Sequence, residues 1–154
     1  MPRSIATNTR VDREGLLAFL QTRKNGVLFA HRASGAPQLS PVTYAVGPRG
    51  DILISTYPER AKAANLRRDS RCSLMSLGAD FNDPWVQVDG VAEVIDPPDA
   101  VEGLVEYFRA AAGEHPDWAE YRQAMRDQGK SLIRIRIETW GPIATGGFPP
   151  RLVD

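Results

Sequence analysis

A mainly β fold, a six-stranded antiparallel barrel with peripheral helices, is the class this sequence predicts. Three observations lead there. Six short apolar or alternating runs are separated by Gly, Pro, Asn and Asp turn residues. The first three runs are joined by short connections, which makes two hairpins in a row and an antiparallel meander. A small antiparallel sheet must also manage its edges, and closure into a barrel removes them.

The elements follow in chain order. Residues 1–10 are polar and read as a loose arm. From Asp12 a short helix places Leu16, Leu17 and Leu20 on one face, and Asn25-Gly26 ends it. Gly26 to His31 is a first strand, and Ala33-Ser34-Gly35-Ala36 turns the chain into a second, Gln38 to Val46. Gly47-Pro48-Arg49-Gly50-Asp51 turns it again, into Ile52, Leu53 and Ile54. A basic helix comes next, ending near Arg67 and Arg68, where cations suit the dipole. Arg71 to Leu77 is the fourth strand and Trp85 to Asp96 the fifth, with Val86, Val88, Ala92 and Val94 on one face. Gly90 in mid-strand marks a bend. Beyond Pro97-Pro98, Val101, Leu104, Val105 and Phe108 define an amphipathic helix whose start Asp99 and Glu102 would cap. A shorter helix from Asp117 carries Trp118, Tyr121 and Met125. The last strand alternates cleanly: Ile133, Ile135 and Ile137 face one way, Leu132, Arg134, Arg136 and Glu138 the other. Trp140 to Asp154 reads as a surface tail.

Composition narrows the function. The chain has 154 residues, one domain spanning 1–154 with a real core. Lys plus Arg number 19 and Asp plus Glu number 19, so no bulk field favours nucleic acid or an anionic membrane. A single cysteine, Cys72, excludes an internal disulfide and a cysteine-cluster zinc site, and its strand setting suits a buried, inert thiol. No apolar run approaches a membrane span and no signal-peptide hydrophobic region precedes the domain, which implies a cytoplasmic location. No nucleophile motif, P-loop or Rossmann glycine fingerprint is present. His31 and His115 lack triad or metal spacing, and Asp80 and Asp83 have turn chemistry as their explanation. No catalytic side chain and no metal ligand is assigned. Either the protein is not an enzyme or a cofactor carries its chemistry.

Two stretches suit a ligand. Around the basic helix, Thr56 and Glu59 make a capping-box pattern with Pro58 in the first turn. Arg60 and Lys62 then sit near the positive end of the dipole, unfavourable for a cation by roughly 0.3–1 kcal/mol each. Free N–H groups plus two cations suit a phosphate or carboxylate; a solvated basic helix explains the same residues. On an ideal helix Arg60 and Lys62 lie roughly 200° apart, so they converge on an anion off the helix end or by one long side chain wrapping round, and the first arrangement is expected. In the second strand, Gln38 and Ser40 share one face. With the backbone at Pro41 and Val42 they suit the edge of a flat heterocycle, as they suit a solvated strand face.

The runs Gly26-Val27-Leu28, Pro37-Gln38-Leu39-Ser40-Pro41-Val42 and Ile54-Ser55, then Glu59-Arg60-Ala61-Lys62 through Asn65-Leu66-Arg67-Arg68-Asp69, resemble the flavin and deazaflavin oxidoreductases related to pyridoxamine 5′-phosphate oxidase. The resemblance is closest to the actinobacterial branch that uses the deazaflavin coenzyme F420. The stretch Gly113-Glu114-His115-Pro116-Asp117-Trp118 to Met125 extends it over nearly the whole chain. The resemblance implies an FMN-binding type of split β-barrel, a homodimer with two cofactor sites at the interface, and hydride transfer to a small unsaturated acceptor. It implies that Arg60 and Lys62 grip the cofactor phosphate. Ile54, Ser55 and Thr56 would lie beside the ring and ribityl chain, with Gln38, Ser40, Pro41 and Val42 on the facing strand. Trp85 and Gln87 of the partner would close the pocket. FMN is the alternative cofactor, and a non-catalytic F420 carrier or a purely structural domain are the alternative roles. Arg134 and Arg136 either meet the acidic tail of the deazaflavin, line the dimer interface or form surface salt bridges.

Overall fold

The computed structural model describes residues 6–147. Six strands close into an antiparallel barrel: β2 (Asn25–His31), β3 (Pro37–Val46), β4 (Ile52–Thr56), β5 (Arg71–Leu77), β6 (Val86–Ile95) and β7 (Ser131–Trp140). Their order around the barrel is β2-β3-β4-β7-β6-β5. Two short strands lie outside it, β1 (Thr7–Thr9) and β8 (Ile143–Thr145), paired with each other.

This pair corrects two expectations. The polar arm is structured from Thr7, and the C-terminal stretch is not all surface: Trp140 ends β7, and Ala144 in β8 is fully buried. The Trp140 indole donates to the Val11 carbonyl at 2.9 Å. Alternation alone could not reveal strands of three residues that pair with each other from opposite ends of the chain, β8 also bridging Trp85 through Ala144. The remainder of the arm and of the tail falls outside the described residues.

The barrel is filled by residues of one parity. Leu28, Ala30, Tyr44, Ile52, Ile54, Leu74, Val86, Val88, Ile133 and Ile135 are all buried within one cluster. Each large aliphatic side chain there contributes about 1.5–3 kcal/mol on burial. Helix α1 (Arg13–Gln21) covers one end of the barrel with Leu16 and Leu20, and Asp12 caps it by accepting from the Gly15 amide at 2.9 Å. Helix α2 (Ala61–Arg68) covers the other end with Leu66. A second cluster forms outside, where Leu53 and Leu132 meet α3 (Val101–Ala112) and α4 (Trp118–Gln128). Among the four α3 residues expected on its buried face, Val101, Leu104 and Val105 are buried and Phe108 packs against the cluster. The start of α3 differs from expectation. Ala100 is its N-cap with no side-chain bond, and Glu102 instead pairs with Arg122 of α4 at 2.8 Å. His115 lies in the loop before α4, yet its ring meets Phe108, Trp118 and Tyr121.

Barrel closure is incomplete where it matters for ligands. The register pairs all of Asn25–His31 with Pro37–Thr43, but β3 meets β4 only at Tyr44, Ala45 and Val46. Beyond Ile54, the last residues of β4 pair with β7 alone. The β3 and β4 strands therefore part, and the barrel is split along Pro37–Thr43. The Tyr44 amide donates to the Lys24 carbonyl at 2.9 Å, on the β2 side. Amides alternate along a strand, so odd-numbered residues present theirs to the split. Pro37 and Pro41 fall at odd positions, and proline, lacking an N–H, belongs on such an edge.

Candidate functional site

The split edge, the end of β4 and the start of α2 come together at one end of the barrel. Helix α2 begins later than the capping pattern implies. Its N-cap is Arg60, in extended conformation with no side-chain cap bond, and Thr56 is still in β4, opposite Ser131. The expected capping box therefore does not form, because strand pairing with β7 claims Thr56 first. With Arg60 outside the helix, the opposed placement expected on an ideal helix does not apply. Arg67 and Arg68 do end α2, and each has a structural task. Arg67 donates to the Pro58 carbonyl at 3.0 Å and pairs with Asp96 at 2.6 Å; Arg68 donates to the His31 carbonyl at 2.7 Å. The Ser131 hydroxyl and the Arg67 guanidinium hold the Asp96 carboxylate below the usual range.

Arg60 and Lys62 have no ion pair with any described residue, unlike Arg67 and Arg71, which pair with Asp96 and Asp69. Lys62 is half-buried, and burial, followed by the charge of Arg60, pushes its pKa below that of an ordinary lysine. A cation kept partly out of water beside another cation is offset by an anion. At the end of β4, Thr56 is 6% exposed and its hydroxyl is buried with no hydrogen-bond partner among the described residues. Buried hydroxyls are ordinarily satisfied, and each exception asks for a cause. These residues fit a phosphate-bearing ligand.

On β3, Gln38 is more committed than its sequence position suggests. Its amide nitrogen donates to the Ser40 hydroxyl at 2.5 Å and its amide oxygen accepts from Asn65 of α2 at 3.1 Å. Gln38 thus ties α2 to the split edge and orients Ser40, whose own proton remains to donate. Val42 packs against the core. Ile54 is buried in the barrel, while Ser55 points to the other side and is half-buried. Asn65 lay within the basic motif without an assigned role; its spacing of three from Lys62 puts both on one helix face.

Trp85 and Gln87 do not join these residues within one chain. The Trp85 indole donates to the Gly146 carbonyl at 2.9 Å near the opposite barrel end, and Gln87 is exposed, donating to Asp89 at 3.0 Å. Arg134 is also elsewhere, beside Asp51 at 3.7 Å and Glu106 at 3.5 Å, and Arg136 lies 3.8 Å from Glu138. Both arginines therefore have carboxylates of their own chain close by, as the salt-bridge reading expects. Cys72 is buried and burial pushes its thiol up to about 12, which suits an inert thiol. Asp80 and Asp83 accept backbone amides within their own turn.

A cleft of about 700 Å³ opens at the α1 end of the barrel, lined by Leu20, Arg23, Lys24, Val46, Leu77 and Ala110 among others. No residue expected to bind cofactor lines it. Arg23 is engaged there, donating to the Pro84 carbonyl and stacked 3.9 Å over the Phe19 ring. The split edge is the better candidate, because Arg60 and Lys62 beside it have no carboxylate partner among the described residues. Among the described residues no group of three His, Cys, Asp or Glu side chains gathers as metal ligands, and no helix is long and apolar enough to cross a membrane.

A closed six-stranded antiparallel barrel, split beside one strand, is the architecture of proteins that bind flavin-type cofactors. The chain belongs to the pyridoxamine 5′-phosphate oxidase family, whose model matches residues 13–144. Among solved structures it is similar to a conserved hypothetical protein, Rv2991, from Mycobacterium tuberculosis. That pair is 26% identical with a TM-score of 0.71, over 89% of this chain and 87% of that one. It also shares its fold with an F420 reductase (17% identity, TM-score 0.57, 79% of this chain and 93% of that one). A heme binding protein from Mycobacterium smegmatis has the same fold (17% identity, TM-score 0.64, 86% of this chain and 54% of that one).

Proposed function

We propose that this chain is a coenzyme F420-dependent oxidoreductase acting on an unsaturated small molecule, such as a biliverdin-like tetrapyrrole or a quinone. The observation that carries this reading is the half-buried Lys62, without an anionic partner among the described residues, beside the split edge of β3. The choice of deazaflavin over FMN rests on the sequence resemblance, and an F420 reductase among the fold neighbours is in keeping with it. FMN on the same scaffold is the second reading, favoured by the family to which the chain belongs.

With a reduced deazaflavin held there, the hydride that reduces the acceptor would come from the cofactor. The protein's share is placement and exclusion of water. Lys62 and Arg60 hold the phosphate, and Ser40, oriented by Gln38, offers a hydroxyl to the ring edge. Pro41 and Val42 would supply the strand along which the ring lies, with the β4 backbone at Ile54, Ser55 and Thr56 across the split from it.

The homodimer belongs to the same proposal. Pro41, Val27, Met75 and Gln87 are partners in register across β3, β2, β5 and β6, all on the outer face. Leu39 and Phe29 lie in the next row, and Leu39 is 65% exposed. A two-fold contact is self-complementary, so a second copy on this face sets its Gln87 end against the β3 end of the first. A monomeric mass in sedimentation equilibrium at micromolar concentration would overturn it.

Two outcomes test the function. Reduced coenzyme F420, mixed with catalytic protein and a panel of quinones and tetrapyrroles, is oxidised with at least one acceptor. Tight binding without turnover across the panel makes the protein a carrier. The second outcome concerns pH. Folding disfavours the charged form of Lys62, so in the free protein its cost is present below the folded pKa and is relieved as pH rises towards the unfolded value. A phosphate beside Lys62 reverses the preference. Affinity for coenzyme F420 therefore falls as pH rises through the lowered pKa of Lys62, and calorimetry detects proton uptake on binding there. A flat profile up to the ordinary lysine range contradicts the assignment.

A further inference from the structure

Gln38 and Ser40 stand opposite Ala30 and Leu28 in the β2–β3 register and share the inward parity of those core residues. Both therefore lie at the inner rim of the split, beneath α2. A chain of hydrogen bonds runs from the end of α2 to Ser40. The Arg68 guanidinium donates to the Asn65 amide oxygen at 2.8 Å, the Asn65 amide nitrogen donates to the Gln38 oxygen at 3.1 Å, and the Gln38 nitrogen donates to the Ser40 hydroxyl at 2.5 Å. The direction of every link is fixed from its ends. A guanidinium has no acceptor, so the Asn65 oxygen must face Arg68 and the Asn65 nitrogen must face Gln38. The Gln38 oxygen then faces Asn65, which leaves the Gln38 nitrogen for Ser40 and for the Leu39 carbonyl at 3.4 Å, an atom that can only accept. Arg68 is itself anchored on the His31 carbonyl at 2.7 Å.

At Ser40 the chain ends on an unused donor. The Ser40 oxygen already accepts from Gln38, and no described residue takes its proton. Ser40 is half-buried, and beyond Tyr44 no β4 residue pairs with its strand. We propose that Asn65 and Arg68 are positioning residues that hold Ser40 as a hydrogen-bond donor, and that the ligand edge entering the split there presents a ring carbonyl oxygen. An N–H group in that place would leave the Ser40 proton unpaired and half-buried, which is costly. This rests on the function proposed above and deepens it: the polarity set at Arg68 decides which edge of the ring the split accepts. Deazaflavins and flavins both carry ring carbonyls, so the relay holds for either cofactor.

Two substitutions take the Ser40 proton without touching Ser40. In N65D the new carboxylate accepts from Arg68 and from the Gln38 nitrogen, which turns the Gln38 oxygen towards Ser40. In Q38E the new carboxylate accepts from Asn65 and from Ser40 directly, and this variant decides the matter should N65D fail to fold. Oxidised coenzyme F420 and FMN are each titrated by fluorescence into wild-type protein, S40A, N65D, Q38E, both doubles with S40A, and K24Q. The last makes an equal charge change at an exposed lysine of the other barrel end. Infrared difference spectra record the ring carbonyl bands of the bound ligand. S40A weakens binding about fivefold, as for one neutral hydrogen bond, and moves a carbonyl band to higher frequency. N65D and Q38E move the same band the same way, and K24Q does not. Once Ser40 is replaced, N65D and Q38E shift the band no further, and only the affinity lost to their added charge persists. A band that N65D and Q38E leave in place, or equal shifts with and without Ser40, overturns the relay. Unchanged affinity and an unmoved band in S40A overturn the donor. FMN binding alone, with the coupled pattern, overturns the deazaflavin reading while the relay stands. Wild-type protein that binds neither cofactor overturns both.

Discussion

Replacing Lys62 with alanine weakens binding of oxidised coenzyme F420 by about 1.5–3 kcal/mol, the range for a hydrogen bond to a charged group. The change is roughly 10- to 150-fold in dissociation constant. The effect falls on binding and not on folding. Lys62 pairs with no described residue, and its burial beside Arg60 already disfavours its charge. Removing it relieves that strain, so thermal stability without ligand stays level or rises slightly. This split between stability and affinity separates a ligand-holding lysine from a structural one. A lysine that merely solvated the helix would leave both unchanged. A structural ion pair would lower the melting temperature, as loss of Arg67 should through its bonds to Pro58 and Asp96.

Gly90→Ala destabilises the fold by on the order of 3 kcal/mol, at the upper end for overpacking. A β-carbon at Gly90 would stand 2.1 Å from the Arg136 carbonyl oxygen. The obstacle is backbone in the neighbouring strand, so no rotamer change relieves it. The β6–β7 register shifts between Asp89 and Gly90, and the glycine lets the two longest-paired strands stay in contact through the bend. For a domain of this size the melting temperature should fall by about 6–12 °C. Gly147→Ala is the control: nothing lies within 4 Å of its added carbon, and its melting temperature should not move. Equal effects of the two substitutions would mean that Gly90 has no special place in barrel closure.

The barrel was legible because each of its long strands carries its own period-two pattern. Ile133, Ile135 and Ile137 point inward as read, and Gly90 sits at the bend. What was illegible depends on pairing between distant segments. Thr56 satisfies a capping pattern locally, yet β7 draws it into a strand, and the helix starts at Ala61. Strands β1 and β8 are too short to carry a pattern and form by pairing with distant segments, β1 with β8 and β8 also with Trp85. At the site, Arg60 and Lys62 could be read from adjacency in sequence, together with Gln38 and Ser40 from alternation. Asn65 could not be given its role, which depends on α2 lying against β3. Gln38 itself looked like a ligand contact and turns out to spend its amide on Ser40 and Asn65. Trp85 and Gln87 lie away from the other candidate residues of their own chain, which is where a role across a subunit interface would leave them.

Direct titration of the wild-type protein with oxidised coenzyme F420 and, separately, with FMN tests the central claim, that the split edge and Lys62 hold a deazaflavin. Fluorescence should report micromolar affinity for coenzyme F420 and none for FMN. Tight binding of FMN with no response to coenzyme F420 would contradict the account.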